Sequence, residues 1–223
     1  MFLPTLYFSS PLFAFAGGMI AFALVYSLSW RGGLSPLRII LVGVAVASLF
    51  NGILAALEST SGSSSSVTSI IDANITLKTW DDLETLAIYA LPALVVALFL
   101  CKRCDLLALE DKTARSLGLD VNKNRIGISA VAVMLASIGT AIIGSISFLG
   151  LIVPHLARLL VGSQHKVLIP YCMVLGAFCL LLADTIGRTI IYPYEISAAV
   201  VMAIVGGPVF IVLLRRSQNN YGE

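Results

Sequence analysis

The sequence predicts an all-α fold, a polytopic bundle of transmembrane helices. Composition is the first reason. Of 223 residues, 58% are hydrophobic and 12% are charged, against about 25% charged in an ordinary globular domain. With a mean hydropathy of +0.97, the chain does not have water as its main solvent. The second reason is the spacing of the apolar runs. Six long segments, at roughly 10–30, 36–58, 83–101, 126–146, 168–191 and 195–214, approach the about 20 residues that cross a bilayer as a helix. The third is an interruption. The stretch Gly144-Ser-Ile-Ser-Phe-Leu-Gly-Leu-Ile-Val-Pro-His-Leu-Ala-Arg158 is apolar but broken by Gly144, Gly150 and Pro154. Within a membrane, such backbone is tolerated only where protein or a water-filled path satisfies the freed polar groups. It therefore points to a transport path rather than to a plain anchor.

The elements follow in order within one domain, 1–223. No lysine or arginine precedes Arg31, so the first span lacks the basic start of a secretory signal and reads as a retained helix. After the second span comes an external loop, 59–80. Its part 59–69 is almost entirely Ser, Thr and Gly, the composition of a flexible linker without chemistry. The loop 102–125 differs, because charges of both signs interleave with Leu106, Leu107, Leu109, Ala114, Leu117 and Leu119. A short amphipathic helix is expected there, capped at Asp111 and stopped at Gly118. Its acidic residues weaken any attraction to anionic lipid, so its face suits a docking partner. The short segment 150–161 cannot span alone and is expected to pair with the broken stretch 144–149. In the last span, Gly206-Gly207-Pro208 predicts a kink or break, since Pro208 removes one backbone bond and crowds the carbonyl four residues earlier. Gly17, Gly18, Gly43, Gly139 and Gly176 read as small contact residues between helices.

Charge placement orients the chain. With the 102–125 loop in the cytoplasm, twelve of the 14 basic residues fall on the inner side and only Lys78 and Arg188 outside, as the positive-inside rule demands. The N-terminus then lies outside and the C-terminus inside. A net charge of +2 gives no argument for nucleic acid. Chemistry is equally scarce. There is no G-x-x-x-x-G-K-[ST] phosphate loop, and no acid/base pair, nucleophile or metal-ligand spacing. Cys101 and Cys104 form a C-x-x-C, but no second pair completes a four-ligand zinc site. His155, after Pro154 at an expected helix start, reads as a structural hydrogen-bonding residue. The chain is not expected to be an enzyme.

Three blocks resemble the FecCD-type permeases of ABC importers. They are Leu106-Leu107-Ala108-Leu109 with Ala114-Arg115-Ser116-Leu117-Gly118-Leu119-Asp120-Val121; the Gly144–Arg158 stretch with Leu160-Val161-Gly162 and His165; and Leu182-Ala183-Asp184-Thr185-Ile186-Gly187-Arg188 with Pro193-Tyr194-Glu195-Ile196 and Gly206-Gly207-Pro208-Val209-Phe210. Arg31-Gly32-Gly33-Leu34-Ser35-Pro36-Leu37-Arg38 is similar to the family's preceding inner loop. The likeness implies a type II importer permease fold lacking its first three helices, seven of the family's ten being matched. It implies a bacterial plasma-membrane subunit that moves an iron(III)-siderophore, with haem or cobalamin as alternative cargo. A non-transporting remnant and an ion-gradient transporter are the other readings. ATP and magnesium would bind a partner ATPase dimer, with no cofactor on this chain. Leu106, Leu109, Ala114, Arg115, Ser116, Leu117 and Gly118 would couple to that ATPase. Arg188 would receive the extracytoplasmic substrate-binding protein, and a second permease copy or paralogue would complete the path. Gly144, Gly150, Pro154, Gly206, Gly207 and Pro208 would be its broken-helix elements.

Overall fold

A computed structural model describes residues 3–29, 36–61, 75, 78–109 and 111–219. Among these residues the chain forms nine helices: α1 (Leu3–Ser29), α2 (Pro36–Ser61), α3 (Trp80–Phe99), α4 (Cys101–Leu107), α5 (Asp111–Ser116), α6 (Val121–Ile143), α7 (Leu149–Val161), α8 (His165–Thr189) and α9 (Ala198–Asn219). Most of the inner-loop block 31–38 and residues 62–74 of the external loop lie outside the described residues.

Five of these helices, α1, α2, α3, α6 and α8, are long and apolar enough to cross a membrane. The sixth expected span, α9, has 22 residues, of which Ala198–Val209 is the apolar part that the described side chains cover. Only 6% of the spanning window of α1, and the same share of α2, is buried within the chain. In water, apolar faces this large would aggregate; in lipid they are the ordinary outer surface. A helix suits that setting because all its backbone bonds close within the segment.

Helices α3 and α6 begin earlier than hydropathy places them, because capped polar turns extend them. Asp82 accepts the Thr79 backbone N–H at 2.7 Å and the Thr79 hydroxyl at 3.0 Å, starting α3 three residues ahead of the apolar run. Asp120 accepts the Lys123 N–H at 3.2 Å and starts α6 five residues ahead. Carboxylates suit helix N-termini, where the first amides lack partners.

The helices form two groups. In one, α6 packs against α1 and α3, and α2 leans on α1; in the other, α8 packs against α7 and α9. The short α4 touches α3, α6 and α8 and so straddles both groups, with α5 tucked against α4 and α6. At the far end, Ala183, Ala198, Val201 and Met202 form a buried cluster, joined by Ile75, Ile146 and Leu149. Small residues at that cluster bring α8 and α9 close, as helix packing in membranes favours.

One expectation about breaks is narrowed and one corrected. Helix α9 is not broken at Gly206, Gly207 and Pro208, which leaves the kink of the two expected outcomes, and α7 runs through Gly150, Pro154 and His155. Each proline removes a single bond, whereas opening a turn in an apolar setting would strand several polar groups. His155 is thus inside a helix rather than at its start. The small-residue expectation also divides. A Cβ on Gly18 would strike the Ser137 hydroxyl, and one on Gly176 would touch Val153 at 3.8 Å, but among the described residues nothing lies within 4 Å of Gly17, Gly43 or Gly139.

Candidate functional site

The 102–125 region is a small platform at one end of the bundle. Leu100 alone separates α3 from α4, and its N–H reaches back to the carbonyls of Val96 at 3.1 Å and Ala97 at 3.2 Å, so the two helices are nearly one rod. Helix α5 ends as expected at Gly118, whose φ of +82° suits glycine. The Gly118 N–H meets the Arg115 carbonyl at 2.9 Å and the Leu119 N–H meets the Ala114 carbonyl at 3.1 Å, the paired bonds of a Schellman stop. Ala114 is 1% exposed and fastens α5 to its neighbours. Arg115, Ser116, Leu117 and Gly118 face outward, as does Leu109, while Leu106 is half-buried. The outward surface thus combines two exposed leucines with one guanidinium, a mixed apolar and cationic face suited to a protein partner.

Side-chain bonds tie this platform to both helix groups. Arg103 Nη1 donates to Asn124 Oδ1 of α6 at 3.3 Å. Asp105 Oδ1 accepts the His165 backbone N–H at 2.9 Å and faces the ring Nδ1 at 2.6 Å. The backbone bond and then the ring bond hold the Asp105 carboxyl below its ordinary range. An ionised carboxylate only accepts, so Nδ1 carries the proton. The stabilisation is present above the ordinary carboxylate pKa and fades as pH falls through the depressed value. No periodicity pairs residues 60 apart, and sequence spacing gives this contact no signal.

The C-x-x-C carries no reactive pair. Cys101 is buried, its Sγ 3.7 Å from the Ala97 carbonyl, and both cysteines are free. Burial pushes the Cys104 thiol up, away from thiolate reactivity. Among the described residues no three His, Cys, Asp or Glu side chains gather as a metal site.

The broken stretch is real between Gly144 and Phe148. Gly144, with φ +94°, ends α6, and Phe148, with φ +64°, precedes α7. A bulky residue in the left-handed region is strained, and its surroundings hold it there. The amides of Leu151 and Ile152 both meet the Phe148 carbonyl, at 3.0 and 2.9 Å, and a Cβ on Gly206 would lie 2.8 Å from Phe148 Cβ. Gly206 therefore makes room for Phe148. Gly144 and Gly206 are buried, Pro154 and Gly207 half-buried, and Gly150 and Pro208 exposed, so these six do not share one surface.

At the opposite end, Arg188 Nε donates to Asp184 Oδ2 at 2.8 Å, with 41% of the arginine side chain exposed. The neighbouring Gly187 was legible only as a glycine inside a helical pattern. There the returning chain crosses α8, with the Ile196 N–H on the Gly187 carbonyl at 3.0 Å and the Ile196 carbonyl where a Cβ would stand.

Comparison with known proteins adds to this geometry. The family model described as the FecCD transport family matches residues 1–216. The protein named "Probable heme-iron transport system permease protein IsdF" from Staphylococcus aureus strain Newman is 42% identical over 220 residues, covering 99% of this chain and 66% of its own length. Its counterpart in strain USA300 gives the same values. The chain thus spans slightly under two thirds of these relatives. A solved structure, described as "An inward-facing conformation of a putative metal-chelate type ABC transporter", is similar with a TM-score of 0.77 and 30% identity, over 94% of this chain and 72% of that one.

Proposed function

Because this chain belongs to the FecCD transport family, we propose that it is the membrane-spanning subunit of an ABC importer for an iron complex, and that the complex is haem. The observation that carries the reading is the α4–α5 platform, anchored by Ala114 and presenting Arg115 and Leu117, within a chain similar over 99% of its length to a relative named for heme-iron transport. A partner ATPase dimer binds ATP and magnesium and closes on ATP. The platform passes that movement to the helices. The platform end faces the cytoplasm of a bacterium, as does the C-terminus, and a second permease copy completes the path. This chain hydrolyses nothing and holds no cofactor. An iron(III)-siderophore is the second reading, supported by the similarity to a transporter described as metal-chelate type.

Cargo is tested in cells that lack their permease but keep its ATPase and binding protein. They receive this chain, or this chain joined to the N-terminal helices of a full-length relative, and radiolabelled iron as haem or as ferric siderophore. Energy-dependent uptake of haem iron is expected. Uptake of siderophore iron alone would transfer the assignment to the second reading, and uptake of neither would sink both.

Arg188 is the candidate contact for the substrate-binding protein at the outer face. Its i,i+4 partner Asp184 is only 19% exposed and like charges at that spacing repel, so Arg188→Glu is compared at equal amounts of folded protein, with Arg188→Gln as the milder variant. Reversing a charge in a complementary interface costs several kcal/mol, and affinity for the loaded binding protein is expected to fall at least about tenfold. Unchanged affinity in a pull-down titration would leave Arg188 as a purely structural partner of Asp184.

A further inference from the structure

We infer that Asp105 and His165 form the positioning link through which movement of the α4–α5 platform reaches α8. The inference rests on the importer reading above and extends it to residues outside the docking face. Helix α4 is the element that straddles the two helix groups, packing on α6 on one side and α8 on the other. Two polar contacts of α4 among the described residues are unequal. The Arg103–Asn124 bond is exposed and 3.3 Å long. The Asp105–His165 contact is part-buried, with two atoms of His165 at 2.9 and 2.6 Å from one carboxylate oxygen. Hydrogen bonds to an ionised acceptor are shorter and roughly twice as strong as neutral ones.

Its anchorage matters as much as its strength. His165 is the first residue of α8, and one of the two bonds is to its main-chain N–H. Asp105 therefore holds the backbone of α8 itself, at the end where the helix dipole favours a negative charge. A flexible side-chain tip would absorb a displacement that a main-chain anchor passes on.

The apolar packing beside the link is incomplete. An open apolar crevice of about 230 Å³ lies between α3, α4, α6 and α8, lined by Leu100, Cys104, Ile128, Leu135 and Ile169. Side chains along it contact fewer protein atoms than close-packed ones. The polar link therefore adds a directional connection to the α4–α8 packing. A connector shifts an equilibrium only if its contacts differ between the two states, which a single strained or broken carboxylate bond achieves.

The test uses the assembled transporter, with ATPase and binding protein, in liposomes. Haem iron taken up per ATP hydrolysed is measured at equal amounts of complex. A merely structural role changes the amount of complex, not this ratio. Asp105→Ala, which removes both bonds, is expected to lower the ratio roughly tenfold while hydrolysis continues. His165→Ala, which keeps the backbone bond, is expected to lower it about threefold, and Asp105→Asn, which keeps an acceptor oxygen, less than that. If Asp105→Ala does not assemble, His165→Ala decides. An unchanged ratio in these alanine variants, or uptake and hydrolysis falling together in proportion, would overturn the link. ATP hydrolysis by the unaltered complex with uptake of neither haem iron nor ferric-siderophore iron would overturn the importer reading and the link with it.

Discussion

Gly187→Ala is expected to destabilise the end of the bundle opposite the α4–α5 platform, while Gly17→Ala is not. Both glycines lie inside long helices, where alanine is favoured over glycine by about 0.5–1 kcal/mol. At Gly17 nothing among the described residues stands within 4 Å of the new methyl group, and that preference is expected to appear as a small gain. At Gly187 the methyl meets the Ile196 carbonyl, with Val201 3.4 Å away. The obstacle is main chain, which no rotamer change relieves. Overpacking costs about 1–3 kcal/mol and occasionally more, and since the helix preference is shared, the two variants differ by about that amount. The crossing also sets where α9 begins, since Ala198 and Val201 pack on Ala183. Thermal unfolding of the purified chain in detergent checks this, with Gly187→Ala melting lower and Gly17→Ala at or above the unaltered protein. Equal melting would remove the crossing as a point of tight packing.

Arg115→Glu is expected to abolish uptake without loss of the protein from the membrane. Arg115 is exposed on α5, and surface substitutions away from special features stay within about 0.5 kcal/mol of neutral. Ala114, buried beneath it, and the Gly118 stop are untouched, so α5 keeps its place. Under the proposed function, what changes is the sign of the charge offered to the partner ATPase. Like-charge juxtaposition in an interface costs several kcal/mol, and uptake is expected to fall more than about tenfold at equal membrane abundance. Co-purification of the ATPase should weaken in parallel. Normal uptake by this variant would remove the platform from the coupling path.

Much of this fold was legible because lipid constrains sequence more narrowly than water does. Apolar runs of bilayer length marked α1, α2, α3, α6 and α8, and the glycine at Gly118 marked the end of α5. The short helix α7 and the break before it were marked by length and by Gly144. Local rules did less well at prolines. Pro154 was expected at a helix start and Pro208 to kink or break its helix, yet both lie inside continuous helices, since their cost depends on what surrounds the freed carbonyl. Glycines were ambiguous for the same reason. Gly17 and Gly187 look alike in sequence and differ only in what crosses them. The Asp105–His165 contact was wholly hidden, because it joins two helix ends that only tertiary packing brings together. The docking face remains a proposal drawn from resemblance, through the block ending Leu119-Asp120-Val121. Cargo was not, for a mostly apolar path holds few polar groups with which to spell out a ligand.

One measurement tests the central claim most directly. The chain is reconstituted in liposomes with its ATPase and binding protein, and accumulation of haem iron is followed with and without ATP and with a proton ionophore. An importer of this family predicts accumulation that requires ATP and is indifferent to the ionophore, in keeping with spans that carry few ionisable groups. Accumulation that proceeds without ATP and collapses on addition of the ionophore would contradict it.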